Sequence, residues 1–252
     1  MKIIIKTVLM MFMSVGVFAQ SADEIIANYF EAIGGLENFK AIKGMKINAK
    51  MNQGGMEIPL EIVSLSDGRQ YTKISLQGME LMQGVFDGES VWNTNFQSMT
   101  PEKSDAEASA NQKLDANDFP SEFIDFKAKG YTLELVGKET MDGSETFKLK
   151  LTKEPKTVDG QSVEDVTYYF FDAEAFIPLA RESTMTQGPA KGQTMQIKFS
   201  DYQEVDGMYF PFSMSQGVKG GGAQTISFDS VELNPEISDD AFKFPESKEG
   251  DD

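Results

Sequence analysis

Histidine and cysteine are both absent from the 252 residues. Their absence removes the commonest general base, the thiol nucleophile and the ordinary zinc ligands. The sequence also has no G-x-S-x-G elbow, no G-x-x-x-x-G-K-[ST] phosphate loop and no G-x-G-x-x-G turn after a strand. Its 40 Asp and Glu residues leave a carboxylate-pair enzyme open as a class, but carboxylates this frequent single out no pair. Asp115, Asn117 and Asp118 lack the EF-hand spacing, so no calcium site is expected there. What does repeat with a period is apolar. Met195, Ile197 and Phe199 alternate with polar residues, and after Asp206-Gly207 so do Met208, Phe210, Phe212 and Met214. A period of two puts each set on one face of a strand, and Asp-Gly joins them as a hairpin. The chemistry offered is the burial of apolar surface, either by a core or by something bound.

The elements that must position this face read as a β meander with two helical interruptions. Ser21 and Glu24 form an S-x-x-E capping box ahead of a helical stripe of Ile25, Ile26, Tyr29, Phe30 and Ile33, and Gly34-Gly35 ends it. Leu36, Phe39 and Ile42 suggest a second short helix. From Gly44 the period changes to two: Met45, Ile47, Ala49 and Met51 share one face, as do Met56, Ile58, Leu60 and Ile62. Further strands are expected near 69–76, 79–86, 90–96, 131–140, 145–153, 164–172, 177–186, 194–203, 208–217 and 223–233. Asp-Gly recurs at Asp67-Gly68, Asp87-Gly88, Asp142-Gly143, Asp159-Gly160 and Asp206-Gly207, where tight antiparallel turns need it. No long helices separate the strands, which argues against a parallel α/β sheet.

Residues 97–130 break the meander. Thr100-Pro101 predicts an N-cap and first-turn proline, and Phe119, Phe123, Ile124 and Phe126 supply an apolar end broken by Pro120. One or two helices are expected here. A barrel of about eight strands fills itself with side chains, whereas more strands open an interior. With about ten to twelve strands, the helices at 23–42 and 101–129 are the candidate covers, through Ile26, Phe30, Phe123 and Ile124. Candidate lining residues of an apolar cavity are Met45, Ile47, Met51, Met56, Ile58, Leu60, Ile62, Met195, Ile197, Phe199, Phe210, Phe212 and Met214. Trp92, the sole tryptophan, fits either the lining or the core. Strand methionines suit ordinary core and equally a lining that tolerates ligands of varied shape. Of the two arginines, Arg69 is expected to start a strand and Arg181 to lie on a solvated strand face.

The N-terminus has Lys2 and Lys6, an apolar run from Val8 to Phe18, and Val17 and Ala19 at the −3 and −1 positions of a cleavage site. A signal peptide at 1–19 is expected, removed after Ala19, with one domain at 20–245 and a frayed acidic tail at 246–252. Without a cysteine no lipid can be attached after cleavage, which points to a soluble protein in the periplasm or outside the cell. Losing Lys2 and Lys6 takes the net charge from −17 to −19, a surface that repels nucleic acid and anionic head groups.

Several segments together resemble the LolA-like periplasmic lipoprotein carriers and outer-membrane lipoprotein-sorting proteins. They are ADEIIANYFEAIGG at Ala22–Gly35, FDGESVWN at Phe86–Asn93, YYFFDAEAFIPLARES at Tyr168–Ser183, YQEVDGMYFPFSM at Tyr202–Met214 and FDSVELNPEISDDAFKFP at Phe228–Pro245. The resemblance implies an unclosed antiparallel β-barrel with a helical lid over its concave apolar face. It implies a carrier without a cofactor and without enzymatic activity, which binds lipoprotein acyl chains or other lipids. Its partners would be that cargo, a membrane-bound donor and an outer-membrane acceptor. The alternative within the same fold is a non-transporting sensor or interaction module with a self-filled interior.

Overall fold

The computed structural model describes residues 20–245. The expected signal peptide and the acidic tail lie outside the described residues. The chain begins with α1 (Ala22–Ala32) and α2 (Leu36–Lys40), then forms β1 (Gly44–Gln53), β2 (Met56–Leu65), β3 (Gln70–Leu76), β4 (Met79–Phe86), β5 (Val91–Thr94) and β6 (Pro101–Lys103). Helix α3 (Ala106–Asp115) and a 3-10 turn (Ala116–Asp118) follow. The second half is β7 (Thr132–Met141), β8 (Ser144–Val158), β9 (Gln161–Asp172), β10 (Pro178–Thr184), β11 (Thr194–Val205), β12 (Met208–Val218) and β13 (Ala223–Leu233).

All thirteen strands form one antiparallel sheet in the order β6-β5-β4-β3-β2-β1-β13-β12-β11-β10-β9-β8-β7. Every neighbour is a sequence neighbour except β1 and β13, whose pairing joins the two halves (Met45 opposite Leu233, Met51 opposite Ile226). The sheet stays unclosed between β6 and β7, where the chain leaves it to build α3. It is an open half-barrel. Three of the five Asp-Gly pairs have both residues at positive φ: Asp142-Gly143 (48° and 92°), Asp159-Gly160 (52° and 73°) and Asp206-Gly207 (50° and 80°). This left-handed pair matches the right-handed twist of the strands it connects.

Helix α1 starts as its sequence requires: Ser21 accepts from the Glu24 N–H and Glu24 accepts from the Ser21 N–H at 2.9 Å. Gly34, at φ +113°, lets the chain turn against the β11–β12 hairpin, since a Cβ there would sit 2.4 Å from the Gly207 carbonyl oxygen. Ile25, Ile26, Phe30 and Ile33 are buried against Phe123 and Ile124 and against Leu149, Tyr169, Phe171, Phe210 and Phe212 of β8, β9 and β12. A second cluster gathers Ala49, Ile58, Leu60 and Ile226 with Ile47, Met51 and Ile74. A third joins Val63, Tyr71, Val85 and Trp92 with Phe242. Val63 alternates with Ile62 along β2, so this third cluster lies on the other side of the sheet, covered by the segment after β13.

Two expectations for residues 97–130 are corrected. Thr100-Pro101 does not open a helix: Pro101–Lys103 pairs with Thr94, Asn93 and Trp92 as an edge strand, a place where proline's missing N–H costs no ladder bond. The helix begins later, with Asp105 accepting from the Ala108 N–H at 2.7 Å. Residues 119–130 form turns rather than a second lid helix, because Pro120 and Asp125 (φ +50°) interrupt the helical ladder.

Candidate functional site

The half-barrel holds a cavity of about 620 Å³ whose floor is β8–β11 and whose roof is the segment from Asp115 to Glu122. Strand register builds the floor in rows. Arg181 of β10 lies opposite Tyr169 of β9 and Ile197 of β11, and Ser183 lies opposite Thr167 and Met195. The third row is ionic. Lys153 Nζ reaches Asp118 at 2.7 Å, Asp115 at 3.3 Å and Asp165 at 3.4 Å, while Lys156 reaches Asp115 at 2.7 Å and Asp165 at 3.3 Å. Lys153 and Lys156 are three apart and would face opposite sides of a regular strand. A bulge between them, where Glu154 and Pro155 stand against the single Glu164, re-phases β8 so that both point to the roof.

Burial opposes the charge on Lys153, but the hydrogen bond to Asp118 and the fields of Asp118, Asp115 and Asp165 outweigh it and raise its pKa above the usual lysine value. Burial, with Glu122 adding to it, pushes the Tyr169 hydroxyl well above the ordinary tyrosine range. That hydroxyl donates to Glu122. Burial also works against the charge on Arg181, while Tyr169, Glu122 and Asp115 favour it, and the net shift is upward. The guanidinium therefore stays charged at the cavity floor.

The roof is held by polar links. Asn111 of α3 donates to the Thr157 carbonyl (2.6 Å) and accepts from its N–H (3.0 Å). Glu107 accepts from the Asp159 and Gly160 N–H groups, both at 2.9 Å, and caps the β8–β9 turn. On the other side, Val91 of β5 donates its N–H to Ser109 Oγ at 3.1 Å. No residue of α3 is buried, in contrast with Ile25, Ile26 and Phe30 of α1.

This architecture is found in solved structures. A DUF1329 family protein from Desulfovibrio piger matches with a TM-score of 0.54 at 15% identity, over 89% of this chain and 98% of that one. A LolA superfamily protein from Nitrosomonas europaea matches at 0.52 and 15% identity, over 89% and 98%. A domain described as an outer membrane lipoprotein-sorting protein, from Vibrio parahaemolyticus, matches at 0.52 and 12% identity, over 87% and 94%. The fold is LolA-like. At these identities the likeness is one of fold. No protein-family model matches the chain, and no curated protein matches it.

Within the LolA-like half-barrel the predicted residues separate into groups. Met195 and Ile197 line the cavity. Phe210 and Phe212, with Met45 beside them, are packed under α1 together with Ile26, Phe30, Phe123 and Ile124. Ile26, Phe30 and Phe123 also border a second groove, about 410 Å³, between α1 and residues 123–128. Ile47, Met51, Ile58 and Leu60 form the second cluster. Ile62, Phe199 and Met214 are half-buried, and Met56 is exposed at the β1–β2 turn. Trp92 packs with Phe242 across the sheet from the cavity and donates its indole N–H to the Phe242 carbonyl at 3.1 Å. Arg69, expected to start a strand, precedes β3, pairs with Asp67 and Asp239 and lies over the Phe242 ring. Arg181, expected on a solvated face, lines the cavity instead, because the register sets it between Tyr169 and Ile197 under the roof. Glu122, Lys153, Lys156 and Asp165 were not singled out from sequence, and Asp115 and Asp118 were weighed only as calcium ligands. The one available signal was Arg181 itself, an arginine in phase with Leu179 and Ser183 on a predicted strand.

Proposed function

We propose that this protein is a periplasmic binding protein and carrier for lipids or lipoprotein acyl chains, acting without enzymatic chemistry and handing its cargo to an outer-membrane acceptor. The observation that carries this reading is a cavity of ligand size whose roof, the segment from Asp115 to Glu122, is tied down by ion pairs and hydrogen bonds and continues a helix with no buried residue. Lifting α3 and the turn after it exchanges mostly polar contacts for water, with half-buried Phe119 the apolar side chain that leaves the main cluster. Helix α1 is an unsuitable lid by the same measure, since Ile25 and Ile33 are almost fully buried. Burying a chain of about sixteen carbons yields at most ~13 kcal/mol at ~0.8 kcal/mol per methylene. The cost of opening the roof and desolvating its ions subtracts from that, which keeps loading reversible.

The filled interior under α1 favours a second reading, a sensor of the same fold that carries nothing. Organic extraction of protein purified without detergent from its native compartment, followed by mass spectrometry, separates the two. Stoichiometric lipid or acylated protein supports the carrier. No extracted lipid and no uptake of added lipid would refute it.

A further inference from the structure

The cavity contains two opposite charges that make no direct ion pair among the described residues. Lys153 and Lys156 are each held by aspartates. Arg181, among the described residues, has no carboxylate within the 4.0 Å of an ion pair. The groups acting on it are the Tyr169 hydroxyl and, beyond ion-pair distance, the Glu122 and Asp115 carboxylates, and one hydroxyl oxygen can occupy only part of a five-donor guanidinium fork. Glu122 likewise has no cation within 4.0 Å among the described residues; it accepts from Tyr169. Both line the same cavity as Met195 and Ile197.

A charge taken from water into a partly buried site without a direct partner is costly, and these two share the Tyr169 hydroxyl without forming an ion pair with each other. A simple anion would satisfy Arg181 but meet Glu122, while a simple cation would do the reverse. We infer that Arg181 and Glu122 read the head group of a zwitterionic phospholipid: its phosphate on the Arg181 fork, its ammonium on Glu122, and its acyl chain along Met195 and Ile197. This inference rests on the lipid-binding reading above and specifies the class of lipid. Of the remaining lining carboxylates, Asp115, Asp118 and Asp165 are tied to the two lysines and Glu164 is not; together they leave the net field of the cavity acidic, which disfavours head groups carrying only negative charge.

The test is binding of two lysophospholipids with the same acyl chain, one with an ethanolamine and one with a glycerol head group, to the full chain below the lipids' micelle concentrations. The expected result is a preference of about tenfold or more for the ethanolamine lipid, the size of one charged hydrogen-bonded contact. Arg181→Met should weaken both lipids by about tenfold or more, and Glu122→Gln should abolish the preference while leaving glycerol-lipid binding intact or improved. Free phosphoethanolamine should bind at least about a hundredfold more weakly than the lipid, since it lacks the chain; equal binding would overturn the placement of the chain. Circular dichroism verifies folding. If Arg181→Met does not fold, Arg181→Lys, which keeps the charge but not the fork, should show an intermediate loss, and unchanged binding would refute the role. Equal binding of both lipids, unmoved by either variant, would overturn the head-group inference and leave lipid binding standing. Binding of neither lipid to the native sequence would overturn both.

Discussion

Replacing Lys153 with Met should free the roof while leaving the rest of the fold closed. Lys153 lies 16% exposed between Asp118 and Asp165, which are 14% and 15% exposed. Its removal does not leave all three aspartates bare: Lys156 still holds Asp115 at 2.7 Å and Asp165 at 3.3 Å. Asp118 keeps the Tyr131 hydroxyl at 3.0 Å and Lys129 at 3.7 Å. The loss is therefore one charge-assisted hydrogen bond in a partly buried site, roughly 2 kcal/mol, short of the 3–5 kcal/mol typical of a fully orphaned buried charge. The other links of α3, from Glu107, Ser109, Asn111 and Asp115, are untouched, so the loss should pass into opening of the roof and not into the rest of the fold. At about 1.4 kcal/mol per tenfold, amide hydrogen exchange in α3 should accelerate by roughly ten- to thirtyfold. Exchange in α1, packed in a different cluster, should stay within about twofold of the native protein. Equal acceleration of both helices would mean that they open as one unit. No acceleration in α3 would mean that the ion pairs do not hold the roof. Either result would refute the separation of a movable roof from a fixed helix.

Other consequences follow from the same geometry. Met195→Asp should fold with nearly native thermal stability, because the residue borders the polar cavity, but should lose lipid uptake; Phe212→Asp should be largely unfolded by circular dichroism, since it buries a charge in the main cluster. Gly34→Ala should cost more than about 1 kcal/mol in denaturant unfolding, given φ +113° and the approach of the Gly207 carbonyl. Burial raises the Glu61 pKa, but hydrogen bonds from Lys73 and Tyr71 outweigh it and set the folded value below the ordinary one. Its contribution is thus complete above the unfolded value of about 4.3 and lost as pH falls through the lower folded value. The stability gap between native protein and Glu61→Gln should therefore be constant near neutrality and close below about pH 4. Trp92 lies across the sheet from the cavity, so its fluorescence maximum should not shift when lipid is added; a shift would place the ligand in the wrong compartment.

Local pattern was enough for most of the frame. Period-two alternation located the strands to within a few residues, the Ser21–Glu24 box placed the start of α1, and Asp-Gly marked the tight turns, because each of these is a preference that neighbouring residues satisfy among themselves. Where local signals competed, the outcome depended on pairing. Thr100-Pro101 carries a helix-start signature, yet an open edge beside β5 accepts it as a strand.

The site was less legible than the fold. Composition alone established that the protein has no histidine or cysteine chemistry and offers a large alternating apolar surface. Which part of that surface becomes core and which becomes cavity was decided only by tertiary structure. Phe212 and Met195 both belong to alternating apolar sets on adjacent strands, but α1 covers one and the polar roof covers the other. The facing of Lys156 depends on a bulge between Lys153 and Lys156, and the partners of Arg181 come from strands and a loop up to tens of residues away in sequence. Period and turn chemistry are properties of neighbours along the chain; the pairing of unlike charges across a half-barrel arises only when register and roof bring distant residues together.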